Sequence, residues 1–109
     1  MATGIVKTTQ TAGAIGTYTS VYTVPTGYYG VYNISFTNIT SAPVTIRLYI
    51  GASTTGSQTA SEAFEYGTTI VANGVFERTG IVLNPNVNVI ASASAVININ
   101  MYGIETSTT

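Results

Sequence analysis

Ionised side chains are scarce in this sequence. Asp, Glu, Lys and Arg together make up 6% of its 109 residues, where ordinary soluble domains carry about 25%. Asp, His, Cys and Trp are absent altogether. Each absence removes a class of function. Three Lys and Arg residues cannot neutralise the several phosphates that a nucleic-acid binder engages. A formal net charge of −1 gives no reason to expect an anionic membrane surface as partner. Without Cys there is no disulfide framework, no thiolate chemistry and no cysteine zinc site. Without His, Cys or Asp the usual nucleophile–base triads are unavailable, and a calcium loop lacks its clustered Asp. Phosphate-cradling Gly-Lys-Thr patterns are also missing, so no cofactor and no metal are expected. No apolar run reaches the roughly eighteen residues of a membrane-spanning helix. The opening Met1-Ala2-Thr3-Gly4-Ile5-Val6-Lys7 has no basic region followed by a long apolar stretch. Assembly from a cytoplasm, not export, is the expectation that follows.

What is present is a 45% hydrophobic chain whose polar surface must come from Thr, Ser, Asn, Gln and Gly. Such a surface is hydrated but weakly repulsive, so association between copies is favoured. The dominant hydrophobic period is two, the period of strands. Ile97, Ile99 and Met101 fall on one face, with Asn98 and Asn100 on the other. Tyr32, Ile34 and Phe36 alternate with Asn33, Ser35 and Thr37. Val44, Ile46, Leu48 and Ile50 alternate with Thr45, Arg47 and Tyr49. Further strands are predicted over 18–24, 61–70, 75–83 and 87–91, with a short one through Ile5 and Val6. Turns are expected at Pro25-Thr26-Gly27, at Thr40-Ser41-Ala42-Pro43, in the polar stretch 52–60, and at Asn84-Pro85-Asn86. Asn73-Gly74 reads as a type I′ hairpin turn, since both residues tolerate positive φ. No segment has helical periodicity with caps.

Seven or eight short, mainly antiparallel strands imply an all-β single domain, a β-sandwich or jelly-roll. Residues 1–16 read as an extended N-terminal arm ordered against a neighbour, 17–105 as the sandwich, and 106–109 as a flexible tail. Edge strands usually carry charges that block unwanted pairing. With so few charges, either bulges and loops cover the edges or a partner subunit does; the second is expected.

For catalysis the only material is a carboxylate pair among Glu62, Glu65, Glu77 and Glu105. A hairpin at Asn73-Gly74 would set Ile70 opposite Glu77 and Glu65 near Val82, holding Glu65 and Glu77 apart. Glu62 and Glu65 would face opposite ways. The expectation is no enzyme. Glu77 and Arg78 should also face opposite ways, each meeting an opposite charge across a strand or a subunit boundary. Tyr28 and Tyr29 could form a sugar-stacking platform, but packing or interface roles are the more ordinary use of tyrosine. Asn33-Ile34-Ser35 and Asn38-Ile39-Thr40 match the glycosylation sequon, as chance matches in a chain rich in Asn and Thr.

The run Tyr22-Thr23-Val24-Pro25-Thr26-Gly27, continuing through Val31-Tyr32-Asn33-Ile34-Ser35-Phe36-Thr37-Asn38, resembles the opening of small virion structural proteins of tailed bacteriophages, cyanophages included. Asn73-Gly74-Val75-Phe76-Glu77-Arg78-Thr79-Gly80-Ile81-Val82-Leu83 resembles a second block of that group, and Val96 to Glu105 a third. The resemblance covers roughly residues 18–105. These motifs recur in capsid, neck and tail components, and no catalytic residues come with them. The resemblance implies many copies on a symmetric particle, assembled in the host cytoplasm. The leading expectation is a capsid decoration (cement) protein that binds the outer surface of the major capsid protein as a homo-oligomer, a trimer for example. The alternatives are a neck, tail or fibre-associated adaptor, and a host-glycan-binding module. Lys7, Arg47, Glu77, Arg78, Tyr28 and Tyr29 are the candidate interface residues, with the N-terminal arm.

Overall fold

A computed structural model describes the backbone of residues 3–12 and residues 18–108 in full. The strands are β1 (Thr3–Ala12), β2 (Thr19–Thr23), β3 (Tyr28–Thr37), β4 (Val44–Gly51), β5 (Ala63–Ile70), β6 (Val75–Leu83), β7 (Asn88–Ala93) and β8 (Ile97–Ser107). One 3-10 turn, Ala60–Glu62, precedes β5. The strands form two four-stranded sheets of order β1-β8-β3-β6 and β2-β7-β4-β5. All pairings are antiparallel, and β1 pairs β8, β2 pairs β7, β3 pairs β6 and β4 pairs β5. The chain is thus one long hairpin with its tip between β4 and β5, rolled until β3 also meets β8 and β4 meets β7. This is the jelly-roll form of the β-sandwich.

The strand period holds because one face of each sheet is dry. Tyr32, Ile34, Phe36, Ile97, Ile99 and Met101 are buried from one sheet, and Val44, Ile46, Leu48, Val89, Ala91 and Ala93 from the other. A slip of one residue in any of these strands would turn its apolar set outward. Two glycines open space for the largest inward ring: a Cβ at Gly103 would lie 2.1 Å from the Val31 carbonyl oxygen, and one at Gly30 would lie 2.7 Å from the Tyr32 ring.

Three elements differ from expectation. Residues 3–12, expected within an arm over 1–16, form β1, in continuous register with β8 from Thr3↔Thr106 to Ala12↔Ile97. Residues 1, 2 and 13–16 of that arm lie outside the described residues. β8 runs on to Ser107 and Thr108 N–H donates to the Gly27 carbonyl, so Thr106 and Ser107 of the expected tail are strand and Thr108 is hydrogen-bonded; Thr109 lies outside the described residues. Thr-rich segments carry no apolar alternation, and here a neighbour's backbone supplies the order. Asn73-Gly74 is not a hairpin turn between paired strands, because β5 and β6 belong to different sheets. Only Asn73 takes positive φ (59°), with Gly74 N–H donating to the Val71 carbonyl at 2.9 Å. Positive φ confined to the third turn residue belongs to type II, not type I′.

The edge strands are β1 and β6 of one sheet, β2 and β5 of the other. β2, β5 and β6 each carry a register shift. One of the two β5 shifts falls at Gly67 (φ 89°) and the β6 shift at Gly80 (φ 69°), conformations that glycine adopts without strain. Bulges therefore interrupt three of the four edges, while β1 keeps an unbroken register.

One end of the sandwich is closed by Asn38, which is fully buried. Its Nδ2 donates to the carbonyls of Ala42 (2.8 Å), Ile70 and Val71 (both 3.1 Å). Its Oδ1 accepts from Thr40 N–H (2.9 Å) and the Thr40 hydroxyl (2.7 Å). The β3–β4 and β5–β6 corners are thereby tied together, and the amide is occupied with structural bonds in its sequon. Losing it removes five hydrogen bonds at once and takes a donor from the buried Ile70 carbonyl. The Ala42 and Val71 carbonyls keep the Thr40 hydroxyl and Gly74 N–H as donors, and an unmet buried group costs about 1–3 kcal/mol. Asn38→Ala is therefore expected to destabilise by about 3 kcal/mol and to lower the melting temperature by about 15 °C. Thermal unfolding followed by circular dichroism checks this; a shift of only a degree or two would show that the corner holds without the amide.

A candidate interaction face

The outward phase of β3 and β8 is polar at one end and apolar at the other. Asn98 and Asn100 register with Thr37 and Ser35. Further along, Ile104 registers with Val31, and Val31 registers with Val82 of β6. All three are exposed, at 58%, 49% and 66%. On the other side of β8, Ile104 registers with Ile5 of β1. One row of β-branched residues, Ile5–Ile104–Val31–Val82, thus crosses all four strands. Tyr29 and Tyr102, both exposed, flank it on the neighbouring rows. Exposed apolar residues scattered singly need no explanation, whereas a contiguous row across a sheet is a candidate association surface.

The outer face of the other sheet is different. Tyr49, Ile90 and Ser92 point away from the core yet are 5%, 1% and 1% exposed. Tyr49 lies edge-on to Tyr18 (5.8 Å between centroids) and to Tyr66 (6.4 Å). The Arg47 guanidinium sits 4.2 Å from the Tyr66 ring centroid, a cation–π contact. This face covers much of its own apolar surface.

The candidate interface residues are dispersed over the molecule. Lys7 lies on β1, in register with Tyr102. Glu77 is exposed on the outer face of β6, with the Tyr102 hydroxyl 3.5 Å from its carboxylate. Arg78 faces the other way, as expected of its neighbour, and its partner is Glu65 at 2.6 Å. Arg47 belongs to the opposite sheet. Tyr28 packs against the core while Tyr29 is exposed, so the two do not make a shared stacking platform. Adjacent strand residues point to opposite faces, which is the reason.

The four carboxylates are also separated by role. Glu65 does not lie near Val82; it registers with Leu48, and Glu77 registers with Ser35, not Ile70. Glu65 accepts from Arg78 and, at 2.5 Å, from the Thr68 hydroxyl, spanning the open side between β5 and β6. Glu62 accepts from Thr59 N–H (2.9 Å) and Ser53 N–H (3.2 Å). Those backbone donors, Thr59 first, hold its carboxyl below the usual range. Glu105 is 8% exposed and accepts the hydroxyls of Tyr32 (2.8 Å) and Tyr22. No group of three or more possible metal ligands occurs among the described residues.

Sequence reasoning missed the row itself. Its signal was available: Val31, Val82 and Ile104 are β-branched residues on the phase otherwise occupied by Asn, Ser and Thr. Compared with known protein families and with curated proteins, the chain matches none.

Burial raises the pKa of Tyr22 and Tyr32 well above the ordinary tyrosine value near 10, and the hydrogen bond to Glu105 adds to it. A folded-state pKa above the unfolded one gives stability that is complete below about pH 10 and lost as pH rises beyond it. These two tyrosines are therefore expected to ionise only as the protein unfolds, so ultraviolet tyrosinate absorbance from them should rise together with the loss of the circular dichroism signal. In Glu105→Gln their ionisation should move part of the way back toward pH 10; two tyrosines ionising near pH 10 in the intact wild-type fold would refute the arrangement.

Proposed function

We propose that this chain is a non-enzymatic structural subunit of a tailed-bacteriophage virion, of the decoration type that binds the outer surface of the major capsid protein. The observation that carries the reading is the apolar row crossing a sheet face almost free of charge. The sequence blocks that resemble small phage virion proteins support the same reading. The mechanism is additive. A flat face that buries on the order of 1,000 Å² in a contact is large enough to be specific. Repetition over a particle surface then converts modest single-site affinity into avidity. Scarcity of charge serves this use, since little like-charge repulsion opposes close placement of copies.

The test is to add the purified protein to phage heads that lack it. Saturable binding in hundreds of copies per particle, with increased resistance to heat, is the expected result. Saturation at about a dozen copies would place the protein at the neck or tail instead. An absence of binding to any particle component would remove the virion reading.

A further inference from the structure

We infer that the outer face of the β1-β8-β3-β6 sheet is where two copies of this chain meet, face to face, about a two-fold axis running along the strands. The inference rests on reading that face as an assembly surface and assigns its occupant.

Three observations favour a second copy over an unrelated partner. The first is the row itself. A two-fold axis along the strands reverses the strand order, so Ile5 of one copy comes over Val82 of the other and Ile104 comes over Val31. Apolar surface then meets apolar surface along the whole row, as a self-complementary patch requires.

The second is charge. The four strands of this sheet carry four charged residues. Glu105 is buried beneath the tyrosine hydroxyls and Arg78 is turned to Glu65. The other two are Lys7 on one edge strand, in register with the exposed Tyr102, and the exposed Glu77 on the other edge strand, opposite in sign. The same axis brings Lys7 over the β6 edge of the second copy, about one residue row from Glu77. That offset is within the reach of a lysine side chain. Each dimer would contain the pair twice. Within one copy the two residues are separated by β8 and β3, about 14 Å at ordinary strand spacing.

The third is area. Four strands of about ten residues present a face of about 34 by 19 Å, or roughly 650 Å² on each copy. The pair would then bury more than the roughly 1,000 Å² in total expected of a specific interface.

The test uses the full chain in sedimentation velocity over a concentration series at low salt. A concentration-dependent dimer is expected. Val82→Asp should weaken it by about tenfold or more, as should Lys7→Glu and Glu77→Lys separately. The double variant Lys7→Glu/Glu77→Lys should return the affinity to within about threefold of wild type. Such a rescue cannot come from within one copy. Circular dichroism and melting temperature verify that each variant is folded. A wild-type monomer at every concentration, a dimer indifferent to Val82→Asp, or single charge variants without rescue would overturn the inference. Head binding separates the two claims. A monomeric wild type whose binding to phage heads is abolished by Val82→Asp would give the face to the shell, overturning the dimer while leaving the virion reading in place.

Discussion

An apolar interior between two sheets is open at its ends, where strands turn and backbone groups lose their ladder partners. Buried carbonyls and N–H groups there must be met by something other than water. In this chain the two ends are met by two buried polar residues. Asn38 follows the last residue of β3 and gathers the carbonyls of two corners. Glu105 registers with Gly30 near the start of β3 and gathers two tyrosine hydroxyls from β2 and β3. Everything between them is aliphatic or aromatic. Removing Glu105 leaves the buried Tyr32 hydroxyl without its acceptor, and removing Asn38 takes a donor from the buried Ile70 carbonyl. An unmet buried group costs about 1–3 kcal/mol, more than a typical hydrogen bond adds. Both residues connect positions distant in sequence, so they fix which corner lies over which strand. With no disulfide and one ion pair among the described side chains, these polar closures and the dry sheet faces define the fold.

The same economy of charge shapes the surface. Ordinary edge strands are protected by charged residues, and this chain has too few. Bulges do the work on β2, β5 and β6, with Gly67 and Gly80 in backbone conformations that favour glycine. The ion pair of Glu65 and Arg78 lies where the two bulged edges, β5 and β6, face each other across the sandwich. Arg78 is thus engaged within the molecule, as is Arg47 over the Tyr66 ring, and among the described side chains Glu77 is the exposed charge on the outer face of the β1-β8-β3-β6 sheet.

Much of the fold could be read from the sequence, because a half-buried strand writes its period directly into the chain. The alternations through Ile97, Ile99 and Met101, and through Val44, Ile46 and Leu48, match buried faces of β8 and β4. What could not be read was pairing. Asn73-Gly74 has the composition of a hairpin turn, but the tie from Asn38 to Val71 and from Thr40 to Asn73 bends the chain into the other sheet. β1 was legible only as a short strand at Ile5 and Val6, since its Thr residues give no apolar phase. The partnership of Glu105 with Tyr22, 83 residues away, has no local signature at all. The apolar row was half legible: each member breaks the polar phase of its own strand, but their alignment depends on three registers at once.

The two sheets end with different outer surfaces, and that asymmetry is informative. On the β2-β7-β4-β5 sheet, Tyr49 packs against Tyr18 and Tyr66, and Arg47 lies over the Tyr66 ring. Outward-pointing Tyr49 is thereby left almost without solvent contact, and Ile90 on the same face is also buried. On the β1-β8-β3-β6 sheet, the outward Val31, Val82 and Ile104 are about half exposed or more. Two sheets of one small domain face the same solvent, so hydration alone gives no reason for one to shield its aliphatic residues and the other to align them in a row. A row of β-branched residues across four strands is a good flat packing surface, and hydrophobic burial is non-directional until a second flat surface is offered. Alignment adds little to an isolated molecule. It acquires a physical consequence when another sheet lies across it, and the surface is then matched to association in place of solvation.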